Sequence, residues 1–114
     1  MNRAAVSLAV VTLTTLVANA QLRSPSIEDA TTLVASIWSY NSVCSVIYPR
    51  ISDQIITTAG VKAGTKLGLD MMNLDIRDIA RRKTAAMYRG IVFMNDQERR
   101  AWCDDIKAII DKVY

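Results

Sequence analysis

Two cysteines, Cys44 and Cys103, constrain the fold of this chain more than any other feature. They are the only cysteines among its 114 residues. Cys44 lies on a stripe of apolar side chains that recur at steps of three and four over residues 27–48, a spacing typical of an amphipathic α-helix. Cys103 lies in a second stripe of the same kind near the C-terminus. A bond between the two sulfurs would tie the first predicted helix to the last.

Residues 1–20 have the features of a secretory signal peptide. A basic start at Arg3 precedes an apolar run over residues 4–17, and the small-x-small pattern of residues 18–20 is typical of a signal-peptidase site. The alternative is a permanent membrane anchor, for which the run is short, because a span needs about 20 apolar residues. We therefore expect a mature domain of residues 21–114 that is periplasmic or secreted.

Export favours a disulfide between the two cysteines, because paired cysteines in small exported domains are usually oxidised. The bond would close a loop of about 60 residues, for which the chain-entropy treatment gives a stabilisation of about 4 kcal/mol. The alternative is two separate reactive thiols. Neither cysteine has a histidine or a second cysteine near it in the sequence to activate it.

Four helical segments account for most of the mature chain. The first covers residues 27–48 and is expected to end before Pro49; the second begins near Gln54, the third near Asn73 or Asp75, and the fourth covers residues 96–113. No stretch shows the alternation expected of a strand. We predict an all-α fold, a small bundle of about four helices in which the disulfide joins antiparallel first and last helices.

Glycines recur every fourth residue in the second segment, at Gly60, Gly64 and Gly68. A continuous helix would carry them on one smooth groove, at an intrinsic cost of about 1 kcal/mol per glycine relative to alanine. We favour a helix, continuous or interrupted, over a turn at residues 60–68. Intramolecular packing into the groove is the preferred interpretation, and a partner-binding groove is the alternative.

The third segment carries the most basic part of the chain, Arg81, Arg82 and Lys83. A solvated helical face explains the triplet, and a docking patch for an acidic protein surface or for phospholipid head groups is the functional alternative. Two tyrosines, Tyr40 and Tyr88, are candidate contact residues for a partner. Tyr40 is equally compatible with the core.

Histidine is absent from the chain, which removes the usual general base and metal ligand. There is also no C-x-x-C pair and no nucleotide-binding glycine fingerprint, so we expect no metal and no cofactor. Two carboxylates could still catalyse hydrolysis. The candidates lie where helix caps or exposed ion pairs would use them: Asp70, Asp75, Asp78, Asp104 and Asp105.

We therefore expect an exported, non-enzymatic protein-binding module of the bacterial envelope with an inhibitory, immunity or chaperone-like role. Its partner would be another protein with an acidic surface, and a homodimer is an open alternative. The net charge of +3 is too small to indicate nucleic-acid binding. The rival interpretations are a minor subunit or stabiliser of a permanent envelope complex and, third, a histidine-independent hydrolase.

Overall fold

The computed structural model describes residues 26–91 and 93–114, and within these ranges it is a helical bundle without strands. The predicted signal peptide, residues 1–20, lies outside the described residues. None of the described helices is both long and apolar enough to cross a membrane. The helices are α1 (Ile27–Trp38), α2 (Tyr40–Cys44), α3 (Asp53–Lys66), α4 (Leu74–Ile91) and α5 (Asp96–Val113).

Helix α1 lies at the centre of the bundle and packs against α3, α4 and α5. Seven of the eight positions from Ala30 to Ile37 are buried, so burial extends well beyond the single predicted stripe. The polar side chains among them satisfy their hydroxyls locally. Thr31 donates to the carbonyl of Ile27 at 2.7 Å, and Ser36 donates to that of Thr32 at 2.9 Å. A central helix can therefore bury hydroxyl groups without leaving them unpaired.

The predicted helix over residues 27–48 is shorter than expected and broken once. The break falls at Ser39, whose hydroxyl donates to the carbonyl of Ser36 at 3.0 Å, a side-chain bond of the kind that bends helices. After the break, α2 ends at Cys44 rather than at Tyr48. The residues after Cys44 form a turn, because the hydrogen bonds of Asn41 to the backbone of Ile51 draw the chain away from the helix before Pro49 is reached.

The glycine groove is filled by the protein's own side chains. Gly60 and Gly64 lie inside α3, whereas Gly68 follows its end with a φ of 90°, where glycine terminates the helix. A Cβ at Gly60 would lie 2.1 Å from Nε1 of Trp38, and one at Gly64 would lie 2.5 Å from Sδ of Met71. The preferred interpretation, intramolecular packing, is what the structure shows for these two positions.

The disulfide between Cys44 and Cys103 is present, with both cysteines fully buried and their Cα atoms 5.9 Å apart. It joins α5 to α2, the short helix that continues α1 beyond its break. The helix that supplies Cys103 begins with a capping box. Asn95 accepts from the backbone N–H of Glu98, and the Glu98 carboxylate accepts from the backbone N–H of Asn95. The predicted fold class and disulfide are therefore confirmed.

Candidate functional site

Two clefts flank the short helix α2 at the disulfide end of the bundle, and no residue lines both of them. Tyr40 of α2 lines one cleft, while Ser42 and Val43 line the other. The disulfide fixes α2 to α5, which also contributes to both clefts. The covalent bond thus holds two walls of each cleft together.

The smaller cleft, here the valine cleft, has a volume of about 100 Å³. Its lining combines apolar side chains from α2, the turn after it and α4 with one arginine of α5: Ser42, Val43, Val46, Tyr88, Ile91 and Arg99. Val46 is 67% exposed and Tyr88 is 38% exposed, so large apolar groups at its rim face solvent. The valine cleft is therefore a small depression of mixed polar and apolar lining, with an arginine in its wall.

Helix α4 presents a basic face that leads into the valine cleft. Its exposed side chains lie at helical spacing on the side away from α1: Arg81, Arg82, Ala85, Tyr88 and Arg89. Arg82 forms an exposed ion pair with Asp78 at 3.3 Å. Arg81 and Arg89 form no ion pair with the described residues. Tyr88 belongs both to this basic face and to the valine cleft.

Lys83 differs from its two neighbours, because its ammonium group is used inside the fold. Only 20% of its side chain is exposed. The ammonium donates to the backbone carbonyl of Glu28 at 2.6 Å and to the hydroxyl of Thr32 at 3.1 Å, and it pairs with the Glu28 carboxylate at 3.0 Å. The structure thus places Lys83 as a tie between α4 and the start of α1, apart from the exposed Arg81 and Arg82.

The larger cleft, here the tyrosine cleft, has a volume of about 260 Å³. Helix α2, the segment before α3 and helix α5 supply its lining: Tyr40, Tyr48, Pro49, Arg50, Ile51, Asp104 and Lys107. The hydroxyl of Tyr48 donates to the Asp104 carboxylate at 2.7 Å across the cleft wall. The guanidinium carbon of Arg100 lies 5.8 Å from the centroid of the Tyr48 ring. Aromatic and charged groups from distant parts of the sequence therefore meet here.

Both tyrosines of the tyrosine cleft keep their protons at neutral pH. The hydrogen bond to Asp104, followed by burial, raises the pKa of Tyr48 above 10.0. Burial is the main cause that raises the pKa of Tyr40 above 10.0, and it outweighs the opposing effect of Lys107. The Tyr48 phenol is therefore a hydrogen-bond donor to the carboxylate throughout the physiological range.

The binding residues predicted from the sequence lie in different parts of the structure. Tyr40 is only 2% exposed, so a partner could reach it only through the tyrosine cleft. Tyr88 lies about two turns beyond Arg81 on the same exposed side of α4. Sequence reasoning missed Val46 and Arg99, which sit in a turn and at the edge of a helix stripe. No local pattern marks them, because the disulfide and the helix packing bring them together.

Three of the candidate catalytic carboxylates each bind a different partner within the fold. Asp70 accepts from the backbone N–H of Met72, Asp78 pairs with Arg82, and Asp104 accepts from Tyr48. Neither of the two clefts is lined by a pair of carboxylates. Within the described residues, no cluster of three or more cysteine, aspartate or glutamate side chains could hold a metal ion.

Comparison of the chain with protein-family models, with curated proteins and with solved structures gives no match.

Proposed function

We propose that this chain is an exported, non-enzymatic module of the bacterial envelope that binds an acidic protein through the basic face of α4 and the valine cleft. The observation that carries the proposal is the continuity of these two surfaces at Tyr88. The proposed role is to inhibit, neutralise or escort that partner. The predicted signal peptide over residues 1–20 and the disulfide support an exported location.

The composition of the basic face fits a protein interface. Arginine and tyrosine are enriched among the residues that contribute most to binding, because both make large contacts and directed hydrogen bonds. Arg81 and Arg89 are exposed and form no ion pair with the described residues, so their donors can pair with carboxylates of a partner. Their positive field would attract an acidic surface and accelerate association at low salt.

The valine cleft supplies the apolar part of the same interface. Its volume of about 100 Å³ is smaller than the roughly 150 Å³ cavity that holds one benzene molecule. A small aliphatic side chain fits such a space better than a ring does. An aliphatic side chain of the partner that entered the valine cleft would therefore bury Val46. Carboxylates beside it on the partner would pair with the arginines of α4.

The test is a capture experiment from the envelope fraction with the oxidised protein as bait. The variant Arg81→Glu/Arg89→Glu reverses the two exposed cations, and Lys66→Glu/Lys112→Glu makes the same change in net charge at exposed positions on α3 and α5. We expect the first variant to lose, at low salt, a partner that the wild type and the second variant both retain. Equal capture by all three proteins would contradict the proposal.

A second candidate function is that of a minor subunit in a permanent envelope complex. It is favoured by Met72 and Leu74, which lie around the start of α4 and are 78% and 77% exposed. A permanent subunit would cover these side chains, and the isolated protein would self-associate through them. Light scattering separates the two candidates, because a monomer at high concentration counts against a permanent subunit and against a homodimer.

A further inference from the structure

We propose that the tyrosine cleft is a separate binding site for a small, neutral aromatic molecule with a ring N–H or O–H donor, the chemical class of indole and phenol. The proposal does not depend on the protein partner proposed above, since the tyrosine cleft shares no lining residue with the valine cleft. It rests on the size, the lining, the charge balance and the hydrogen-bonding capacity of the cleft.

The size of the tyrosine cleft sets the scale of the ligand. At about 260 Å³ it exceeds the roughly 150 Å³ cavity that holds one benzene molecule, and it lies below the range of about 300–1,000 Å³ for drug-sized ligands. One or two fused rings fit this volume. The side chains of Tyr40, Tyr48, Pro49 and Ile51 give such a ring apolar and aromatic surfaces.

The charges around the tyrosine cleft are balanced, which favours a neutral ligand. Arg50 pairs with Asp53 at 2.9 Å, and Lys107 pairs with Asp111 at 2.7 Å. Three cations and three carboxylates in total lie at or next to the cleft: Arg50, Arg100 and Lys107 with Asp53, Asp104 and Asp111. A charged ligand that bound to a member of either ion pair would have to displace the internal partner of that group.

Asp104 supplies the directed contact for the donor of the ligand. Its Oδ1 accepts from Tyr48, and that is its one hydrogen bond with the described residues. An ionised carboxylate has further lone pairs for a second donor, and a bond to a charged acceptor is stronger than one between neutral groups. A ring N–H or O–H that enters the cleft therefore meets an acceptor already oriented by Tyr48.

The walls of the tyrosine cleft are held in place before any ligand binds. The disulfide fixes α2 to α5, and the side-chain amide of Asn41 hydrogen-bonds both backbone groups of Ile51. A preorganised site spends less of its binding energy on ordering its own residues. The segment that carries Pro49 and Arg50 is thus anchored to α2 at the wall that would face the ring of the ligand.

The test is an NMR titration of the ¹⁵N-labelled, oxidised protein with four probes. Indole is expected to give saturable shift changes at Tyr40, Tyr48, Ile51, Asp104 and Lys107. 1-Methylindole, which lacks the donor, should bind about tenfold more weakly. Benzoate, an anion, should give no saturable change at these residues. N-Acetyltryptophanamide tests a partner's tryptophan side chain as the source of the ring, and it should bind more weakly than indole.

Two variants make the assignment specific. Asp104→Ala should bring indole down to the affinity of 1-methylindole. Asp78→Ala removes an exposed carboxylate of α4 outside the cleft and should retain wild-type binding of indole. Indole shifts that do not saturate, or equal binding of benzoate, would overturn the site. Equal binding of indole and 1-methylindole would refute the donor requirement. Tighter binding of N-acetyltryptophanamide would refute the free small molecule and assign the cleft to a partner's side chain.

Discussion

The side chain of Asn41 hydrogen-bonds both backbone groups of Ile51, ten residues away. Its Nδ2 donates to the Ile51 carbonyl at 2.6 Å, and its Oδ1 accepts from the Ile51 N–H at 2.9 Å. The same Nδ2 lies 3.4 Å from a carboxylate oxygen of Asp53. Asn41 is buried, so this pairing turns the chain back along α2 and builds one wall of the tyrosine cleft.

Replacement of Asn41 by Asp should destabilise the protein by about 2 kcal/mol at pH 7. The carboxylate can still accept from Ile51 but cannot donate to its carbonyl, and it adds a charge beside Asp53. Urea unfolding measures the loss. Ser42→Ala, an exposed change in the same short helix, is the control and should stay within about 0.5 kcal/mol of wild type. Equal stability of Asn41→Asp and wild type would contradict the role of the Nδ2 donor.

Removal of the disulfide by Cys44→Ser/Cys103→Ser should lower the free energy of unfolding by about 4 kcal/mol. The two cysteines are 59 residues apart, and opening a loop of that size restores conformational entropy to the unfolded chain. Thermal unfolding with and without reductant measures it. Reductant should lower the Tm of the wild type and leave that of the variant unchanged, and a thiol assay on the native wild type should find no free cysteine.

Gly60→Ala should destabilise the protein by about 1–3 kcal/mol, although alanine is the better helix former. The added Cβ would overlap the indole of Trp38, whose Nε1 donates to the carbonyl of Thr57 at 3.3 Å, and the ring would have to move. The matched control is Gly90→Ala in α4, where the added Cβ meets nothing within 4 Å. Helix propensity alone should stabilise that variant by up to about 1 kcal/mol. Unfolding curves that rank the two variants in the opposite order would refute the packing argument.

Lys83→Ala should destabilise the protein by about 1–2 kcal/mol, because it removes the contacts of the ammonium group with Glu28 and Thr32. Arg81→Ala, two residues away on the exposed face, should change the stability by no more than about 0.5 kcal/mol. Chemical denaturation of the two variants measures the difference. If both changes prove equally mild, Lys83 does not tie α4 to α1.

Asp105→Asn should raise the Tm slightly at pH 7. The gain in the free energy of unfolding should be no more than about 0.5 kcal/mol. Burial, with a smaller effect of the neighbouring Asp104, raises the pKa of Asp105 above 3.8. The folded state therefore disfavours the ionised carboxylate, and stability is lost as the pH rises through the folded-state pKa. The gain from asparagine should disappear well below pH 3.8, where the carboxyl is protonated in both states. A lower Tm for Asp105→Asn at pH 7 would contradict this sign.

The sequence anticipated the helices because each has a local signature. The capping box at Asn95 and the hydrophobic spacing of α5 require no distant contact to be recognised. Similarly, Pro49 and Ser52 mark the region between the first and second helical segments. The sequence predicted that the first helical segment ends at residue 48, whereas α2 ends at Cys44. The hydrogen bonds between Asn41 and Ile51 draw the chain away from the helix, and no local pattern records that contact.

The candidate sites depended on contacts that only packing creates. Arg81, Arg82 and Lys83 look alike in sequence, yet the fold exposes the first two and uses the third to hold Glu28. Tyr40 was an open choice between core and surface, and it combines burial with a place in a cleft wall. Asp104 was weighed as a possible catalytic carboxylate; its hydrogen bond to Tyr48, 56 residues away, came only with the structure.

The sequence by itself determined the all-α class and the one possible pairing of its two cysteines, since helix periodicity and covalent chemistry are properties of the chain. The tertiary structure decided which side chains fill the groove at Gly60 and Gly64, which cations stay exposed and where the two clefts lie. Those outcomes follow from the close packing of helices that are distant in sequence. Each position is set by the space and the hydrogen-bond partners that its neighbours leave.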